Sequence, residues 1–506
     1  MPAPQPPAPP APPTTAAPDA GRRHRLLVLA ICCLSLFIVG LDNTVVNIAL
    51  PVIQKDLAAP ASGLQWIIDA YTLVLASLLM LFGSVADRFG RRRVFQIGLA
   101  CFALGSLLCS LAPGLEWLVA FRALQAVGGS MLNPVAVSII ANTFTDPGER
   151  ARAIGVWGGV VGISMALGPL LGGFLVDAAG WPSIFLINVP VALLAMLLTA
   201  RHVPESRAPR PRRLDPVGQL LMIVLLGCGT AAIIEGPAHG WTSPLILALA
   251  AAAVVALIAF PLWERRVAEP LVDPRFFASA PFTGATLTAV CAFAALGGFL
   301  FLNTLYLQDV RHYSPVEAGL WTLPMAGLLL VCAPLSGRIV GSRGPRLPLV
   351  LSGLGLAASG LLLTRLTADS PAALLLVAYA LFGFGFGMVN APITNAAVSG
   401  MPRSQAGVAA AVASTSRQIG QSLGVAVIGT VVTSAVVGPV ATGFAPASHA
   451  GWWILVGLGG AILGLGLLTT GSWATGTAAR VAARLGAEPP SVRGSGVREA
   501  PPERLP

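Results

Sequence analysis

Charge is scarce in this sequence. Only 10% of its 506 residues are Asp, Glu, Lys or Arg, against about 25% in a soluble domain. No stretch is polar enough to fold as a soluble catalytic or nucleotide-binding domain. Lysine is nearly missing: Lys55 is the only one among 31 basic side chains. A phosphate-cradling loop, G-x-x-x-x-G-K-[ST], needs that lysine. Lys55 follows Ile53-Gln54, so no such loop exists and transport powered by it is excluded. Gly383-Phe384-Gly385-Phe386-Gly387 lies inside an apolar run with no strand before it, and reads as helix packing. Cysteine pairs are missing too. Cys32, Cys33, Cys101, Cys109, Cys228, Cys291 and Cys332 all fall in apolar runs with no metal or disulfide spacing. They read as thiols packed among helices. The five histidines lie in or near loops, so neither a metal site nor a cofactor is expected.

What is present is apolar length. Hydrophobic residues make up 55% of the chain, in runs of about 18–25 residues, enough to cross a bilayer. The runs are 26–50, 63–83, 94–111, 117–142, 154–176, 184–200, 217–235, 245–263, 281–304, 317–337, 348–363, 372–399, 408–434 and 452–472. Fourteen spans predict an all-α integral membrane protein with both ends on one side. The apolar run after Arg25 continues to Leu50 with no small-residue cleavage site, so it reads as an uncleaved span. Residues 1–25, rich in Pro and Ala, read as a disordered tail.

The net charge of +10 is not a nucleic-acid signal, because the basic residues cluster between spans. Of the 31 Lys and Arg, 26 fall in segments on the side of the termini; only Lys55, Arg311 and Arg365 fall in loops on the other. Positive loops stay in the cytoplasm, which predicts a multi-pass protein of the cytoplasmic membrane with both termini cytoplasmic. Helix-start chemistry agrees with the boundaries. Asp146-Pro147-Gly148-Glu149, Leu214-Asp215-Pro216 and Ser314-Pro315-Val316-Glu317 each supply a cap and a first-turn proline. Glu317 therefore reads as a capping acid and not as a proton carrier.

Few ionisable residues lie deep in the runs: Asp42, Asp69, Arg122 and Arg417. Such groups cost roughly 2.5–3.5 kcal/mol on insertion scales and mark ion or substrate pathways. At about 1.5 Å per residue, the first three lie at similar depth in the outer half. An acid beside Arg122 feels two opposed effects: the cation favours its ionised form and burial disfavours it. A residue poised between them can load and release protons. A purely structural ion pair is the competing reading.

Five stretches carry a family resemblance. Gly83-Ser84-Val85-Ala86-Asp87-Arg88-Phe89-Gly90-Arg91-Arg92-Arg93 resembles the signature loop of the major facilitator superfamily. Arg122-Ala123-Leu124-Gln125-Ala126-Val127-Gly128-Gly129 resembles its fourth-span motif, with Gln125 one place early. Gly168-Pro169-Leu170-Leu171-Gly172-Gly173 resembles the fifth-span motif of exporters. Leu41-Asp42-Asn43-Thr44-Val45-Val46-Asn47-Ile48-Ala49-Leu50-Pro51 is similar to the first-span motif of the fourteen-span drug:proton antiporters. Trp181-Pro182-Ser183-Ile184-Phe185-Leu186-Ile187-Asn188-Val189-Pro190 is similar to that branch as well, with Pro182 where an arginine is usual.

A weaker copy follows in the second half. Gly337 to Arg346 repeats the loop spacing with Gly341 in place of Asp87, and Asn390-Ala391-Pro392 echoes Asn133-Pro134. The resemblance implies a six-helix half (26–200), a linker carrying two extra spans (201–279), a second six-helix half (280–472) and a cytoplasmic tail (473–506). Substrate would bind near the midplane while the halves rock.

The resemblance further implies proton coupling through Asp42, Asp69 and Arg122, and a conformational gate at Gly83, Asp87, Arg88, Gly90 and Arg91. Asn43, Asn47, Gln125, Gly168, Pro169, Gly172, Asn390 and Arg417 would form the cavity, its seal and the substrate contacts; for Arg417 a structural role stands equally open. The function it implies is export of hydrophobic or amphipathic small molecules by a monomer, driven by the proton gradient. Proton-coupled import of a nutrient is the alternative, against which the Gly168-Pro169 motif argues.

Overall fold

A computed structural model describes residues 18–208, 214–399 and 406–486. Those residues form helices and connecting loops, with no strand among them. A chain in hydrocarbon has to satisfy its backbone within each segment, and a helix does so. The spans are α1 (Pro18–Asp56), α2 (Ala61–Phe89), α3 (Arg91–Ser110), α4 (Leu115–Thr143), α5 (Pro147–Ala179), α6 (Ser183–His202) and α7 (Pro216–His239). They continue as α8 (Pro244–Glu264), α9 (Ala280–Val310), α10 (Pro315–Arg343), α11 (Arg346–Leu363), α12 (Ala372–Val398), α13 (Ala406–Ala435) and α14 (Val440–Leu468). Thirteen are long and apolar enough to span, and α5, bent by 43° between Met165 and Leu167, makes the fourteenth. Pro169 cannot donate to residue 165, which accounts for the bend.

Three sequence-predicted caps are present. Asp146 accepts from the Glu149 amide at 2.8 Å and Asp215 from the Gly218 amide at 2.9 Å. Ser314 and Glu317 form a reciprocal capping box, at 3.2 Å and 2.8 Å. The expected boundaries shift in two places. Helix α1 begins at Pro18, so the end of the tail expected to be disordered is helical; residues 1–17 lie outside the described residues. A helix α15 (Ser472–Gly486) occupies the start of the expected C-terminal tail, whose remainder from 487 also lies outside them.

Helices α1–α6 and α9–α14 form two bundles, and α7–α8 stand between them in sequence. Helix α7 lies against α2 of the first bundle and α13 of the second. Gln219 donates to the Ser77 carbonyl at 2.6 Å, the Trp66 indole to Glu235 at 2.7 Å, and Thr430 to the Ile233 carbonyl at 3.4 Å. Fourteen spans bring the two described ends to one face of the bundle, together with most of the described arginines. It is called the arginine-rich face below.

The hydrogen bonds between the bundles sit toward the opposite face. Gln308 donates to the Ile48 carbonyl at 2.7 Å, Gln65 to the Val425 carbonyl at 3.5 Å, and the Val316 amide to Asp177 at 3.3 Å. Lys55 reaches Asp309 at 3.7 Å. Glycine contacts close the same end. A Cβ on Gly173 of α5 would overlap the Pro315 carbonyl oxygen, and one on Gly319 of α10 would come within 2.5 Å of the Pro169 carbonyl oxygen. Nearer the arginine-rich face the pattern reverses. Gly155, Gly159 and Gly162 on α5 and Gly327, Gly337 and Gly341 on α10 meet no neighbour within 4 Å. The bundles thus meet backbone to backbone at one face, while these glycines toward the arginine-rich one border open space.

Candidate functional site

Asp42 lies in mid-α1, wholly buried, and its carboxylate is fully engaged. Oδ2 accepts from Arg122 of α4 at 2.5 Å. Oδ1 accepts from the amide groups of Gln125 (α4) and Asn188 (α6), both at 2.9 Å. The arginine is equally well held. Its Nε donates to the Ile67 carbonyl at 3.1 Å and its terminal nitrogen to Gln125 Oε1 at 2.7 Å. Its guanidinium stands 4.1 Å from the centre of the Tyr71 ring, a cation–π contact worth about 2 kcal/mol when desolvated. Gln125 closes the network by donating to Ser106 of α3 at 2.8 Å. Five helices therefore converge on one carboxylate. Charge-assisted bonds of this kind are roughly twice as strong as neutral ones, and a proton arriving on Oδ2 would have to displace Arg122.

The structure brings Asp42 and Arg122 together and leaves Asp69 elsewhere. Asp69, also wholly buried, lies on the side of α2 that faces α13. One oxygen accepts from Thr72 at 3.3 Å and the other has no donor; the Ser422 side chain of α13 is beside it. Gln125, expected on the cavity wall, is buried inside the Asp42 network instead. Asn43 and Asn47 donate back to their own helix, at the Val39 and Asn43 carbonyls, and each leaves a buried side-chain oxygen without a donor. Arg417 donates to the Thr394 hydroxyl at 2.7 Å, one turn beyond Asn390 on α12; its buried Nε has no partner.

Gly168 and Gly172 let α5 touch α1. A Cβ on either would overlap or crowd Thr44 or Val45. Thr44 and Met165 of the first bundle, with Leu296, Leu300, Met325, Leu329, Gly383 and Phe386 of the second, line an apolar pocket near mid-depth between the bundles. It adjoins the Asp42 segment without exposing Asp42 itself.

At the arginine-rich face the loop after α2 is tightly built. Arg91 grips Asp87 through Nε at 3.1 Å and a terminal nitrogen at 2.9 Å. Gly90 has φ +114°, a region side chains avoid, and a Cβ there would lie 2.6 Å from Glu205. The Glu205 carboxylate accepts from the amides of Arg92 at 3.1 Å and Arg93 at 3.3 Å, capping α3. The Asp87 carbonyl accepts from the Ala208 amide at 3.1 Å. Gly83 has room around it, with only Pro134 at 3.6 Å, and Arg88 is exposed.

Sequence reasoning missed Asn188, Ser106, Tyr71 and Glu205 as site residues. Asn188 had a signal, being a lone amide in an apolar run inside a quoted motif. Ser106 and Tyr71 had none, since their partners come from other helices.

Comparison with known proteins supports the same picture. The family model described as Major Facilitator Superfamily matches residues 32–425. The chain is 39% identical over 412 residues to the multidrug resistance protein Stp of Mycobacterium tuberculosis (strain CDC 1551 / Oshkosh), covering 81% of this chain and 76% of that one. It is 40% identical over 425 residues to the tetracenomycin C resistance and export protein of Streptomyces glaucescens, covering 83% and 78%. It is 35% identical to the multidrug efflux pump LfrA of Mycolicibacterium smegmatis (strain ATCC 700084 / mc(2)155), covering 81% of each. Among solved structures, a bacterial homologue of the human drug peptide transporters PepT1 and PepT2 superposes with TM-score 0.62 at 14% identity, covering 91% and 99%. An inward-facing, unoccupied bacterial homologue of the lysosomal transporter Spinster superposes with TM-score 0.58 at 18% identity, covering 91% and 98%. These last two support the fold alone.

Proposed function

The chain belongs to the major facilitator superfamily, and we propose that within it this protein is a proton-coupled exporter of hydrophobic or amphipathic drug-like molecules and not an enzyme. The observation that carries the reading is the buried Asp42–Arg122 pair, two residues along α1 from Thr44, which lines an apolar pocket shared by the two bundles. The arginine-rich face is cytoplasmic in this reading, so the structure is a state open to the cytosol. In that state Arg122 holds Asp42 and substrate approaches from the cytosol. Rocking opens the opposite face, a proton reaches Asp42, and Arg122 is released to its remaining partners. The pocket's lining is apolar apart from Thr44, which suits greasy solutes. The named activities of the drug-efflux relatives agree with this direction. The working unit is a monomer, since each bundle supplies part of the pocket.

Everted membrane vesicles test the proposal. Acidifying their interior should drive accumulation of a hydrophobic dye in vesicles carrying this protein and not in control vesicles. Proton-driven depletion instead would make it an importer.

Asp87 tests the gate. We infer that its grip on Arg91 and its tie to the 206–208 segment exchange for other contacts when the cytosolic face closes. Asp87→Asn should then fold and insert normally but turn over about tenfold more slowly, roughly 1.4 kcal/mol on the barrier. Wild-type rates at equal expression would remove Asp87 from the gate.

A further inference from the structure

A second pair of buried carboxyls lies far from Asp42, where the α7–α8 insert meets the arginine-rich face. Asp215 caps α7 and is 7% exposed; Glu264 ends α8 and is 1% exposed. Each carboxyl has one satisfied oxygen. Asp215 Oδ1 accepts from the Gly218 amide at 2.9 Å and from the Trp263 indole at 3.0 Å. Glu264 Oε2 accepts from the Val272 amide at 3.1 Å. Each also has one buried oxygen with no donor, Asp215 Oδ2 and Glu264 Oε1. Those two oxygens face the same spot, the bare Cα of Gly218, where a Cβ would overlap both. Both oxygens crowd that one point, and a carboxylate pair facing each other there has no hydrogen to share.

We propose that Asp215 and Glu264 bind one proton between them, carried on Glu264 Oε1 and donated to Asp215 Oδ2, forming a protonatable site separate from Asp42 that clasps residues 265–273 to the insert. Two carboxylates in a dry contact cannot both ionise, so such a pair titrates as a unit. The clasped segment matters because Val272 is buried in an apolar cluster with Met80 of α2, Phe282 of α9 and Ala409 and Val412 of α13. Loss of the proton loosens a plug between the two bundles on the cytosolic side.

Among the described residues, no charged side chain is paired with Asp215 or Glu264. Arg265, Arg266 and Glu269 on the following segment are exposed. Asp273 is engaged by Arg275 at 2.7 Å. Arg480 and Arg484 of α15 are exposed, while α2 and α13 turn Met80, Ala409 and Val412 toward the segment. Arg210, Arg212 and Arg213 lie outside the described residues.

Hydrogen exchange on the full chain in lipid nanodiscs tests this, read on peptides covering 265–273 across about pH 4–9, a range that starts at ordinary carboxyl values. The native state holds the extra proton, so protection is present at low pH and lost as pH rises. After correction for intrinsic exchange, opening of the wild-type segment should increase by up to about tenfold per pH unit between the carboxyls' titration in the opened segment and their higher titration in the closed one, and level off above it. Glu264→Gln and Asp215→Asn each replace the shared proton with an amide donor, so both should stay protected and flat with pH. A flat wild type, or variants that follow it, overturns the proposal. If Glu264→Gln fails to insert, Asp215→Asn, which keeps the cap, decides. If sodium, magnesium or calcium restores wild-type protection at high pH and not that of the variants, the site binds a metal cation and the proton assignment falls.

Discussion

Replacing Asp42 with asparagine is expected to abolish gradient-driven export. Asparagine matches the carboxylate in size and can keep one bond to Gln125 or Asn188, but it cannot titrate. Substrate–substrate exchange, which needs no net proton movement, should survive. Binding should survive too, because the pocket is lined by other residues. The change also strands the Arg122 charge, and breaking a buried pair costs about 3–5 kcal/mol. Reduced expression is therefore expected, and assays have to be normalised to folded protein. The remaining partners of Arg122, the Ile67 carbonyl, Gln125 and the Tyr71 ring, limit that damage.

Arg122→Ala separates coupling from stability. Without the cation that holds Asp42, the pH profile of exchange should move. A structural pair predicts something else: both single variants lose protein, the double variant recovers it, and pH profiles stay put. The decisive measurement is proton release when substrate is added to purified protein. If Asp42→Asn releases as many protons as wild type, the coupling site lies elsewhere, and Asp69 is the next acid to change.

The fold was legible because a bilayer imposes a coarse rule. Each apolar run long enough to cross became a helix, and the Asp146, Asp215 and Ser314 caps were written locally in three or four residues. Asp42 and Arg122 stood out because charge inside such runs is costly. The pocket did not stand out. Leu296, Leu300 and Leu329 face a cavity, yet nothing in the sequence distinguishes them from leucines that face lipid. Asn188 and Ser106 acquire their roles from helices that meet only in three dimensions. Asp69, at the depth of Asp42 along its own helix, points toward α13 because depth fixes height and not azimuth. The Asp215–Glu264 contact was hidden behind a capping motif that explained only one of Asp215's two oxygens.

Gly173→Val is the second change expected to disable the protein, through geometry and not titration. In the closed face, Gly173 of α5 lies on the backbone at Pro315 and Gly319 of α10 lies on the backbone at Pro169. The two glycines answer each other across the bundles, and each meets main chain, which cannot rotate away as a side chain can. A valine at 173 should therefore oppose closure of that face while leaving each bundle able to fold. Overpacking costs about 1–3 kcal/mol, enough to shift a near-balanced equilibrium roughly ten- to hundredfold away from the state described here. Gly168 and Gly172 are a different case, because they pack α5 against α1 within one bundle. Cysteines at Lys55 and Asp309, whose side chains approach to 3.7 Å, report the closed face through a short bifunctional cross-linker. Cross-linking should be efficient in the otherwise native protein and largely lost with Gly173→Val, alongside export. Gly460→Val, at an exposed position with no neighbour within 4 Å, should change neither. Undiminished cross-linking with Gly173→Val would mean the two glycines do not control the seal.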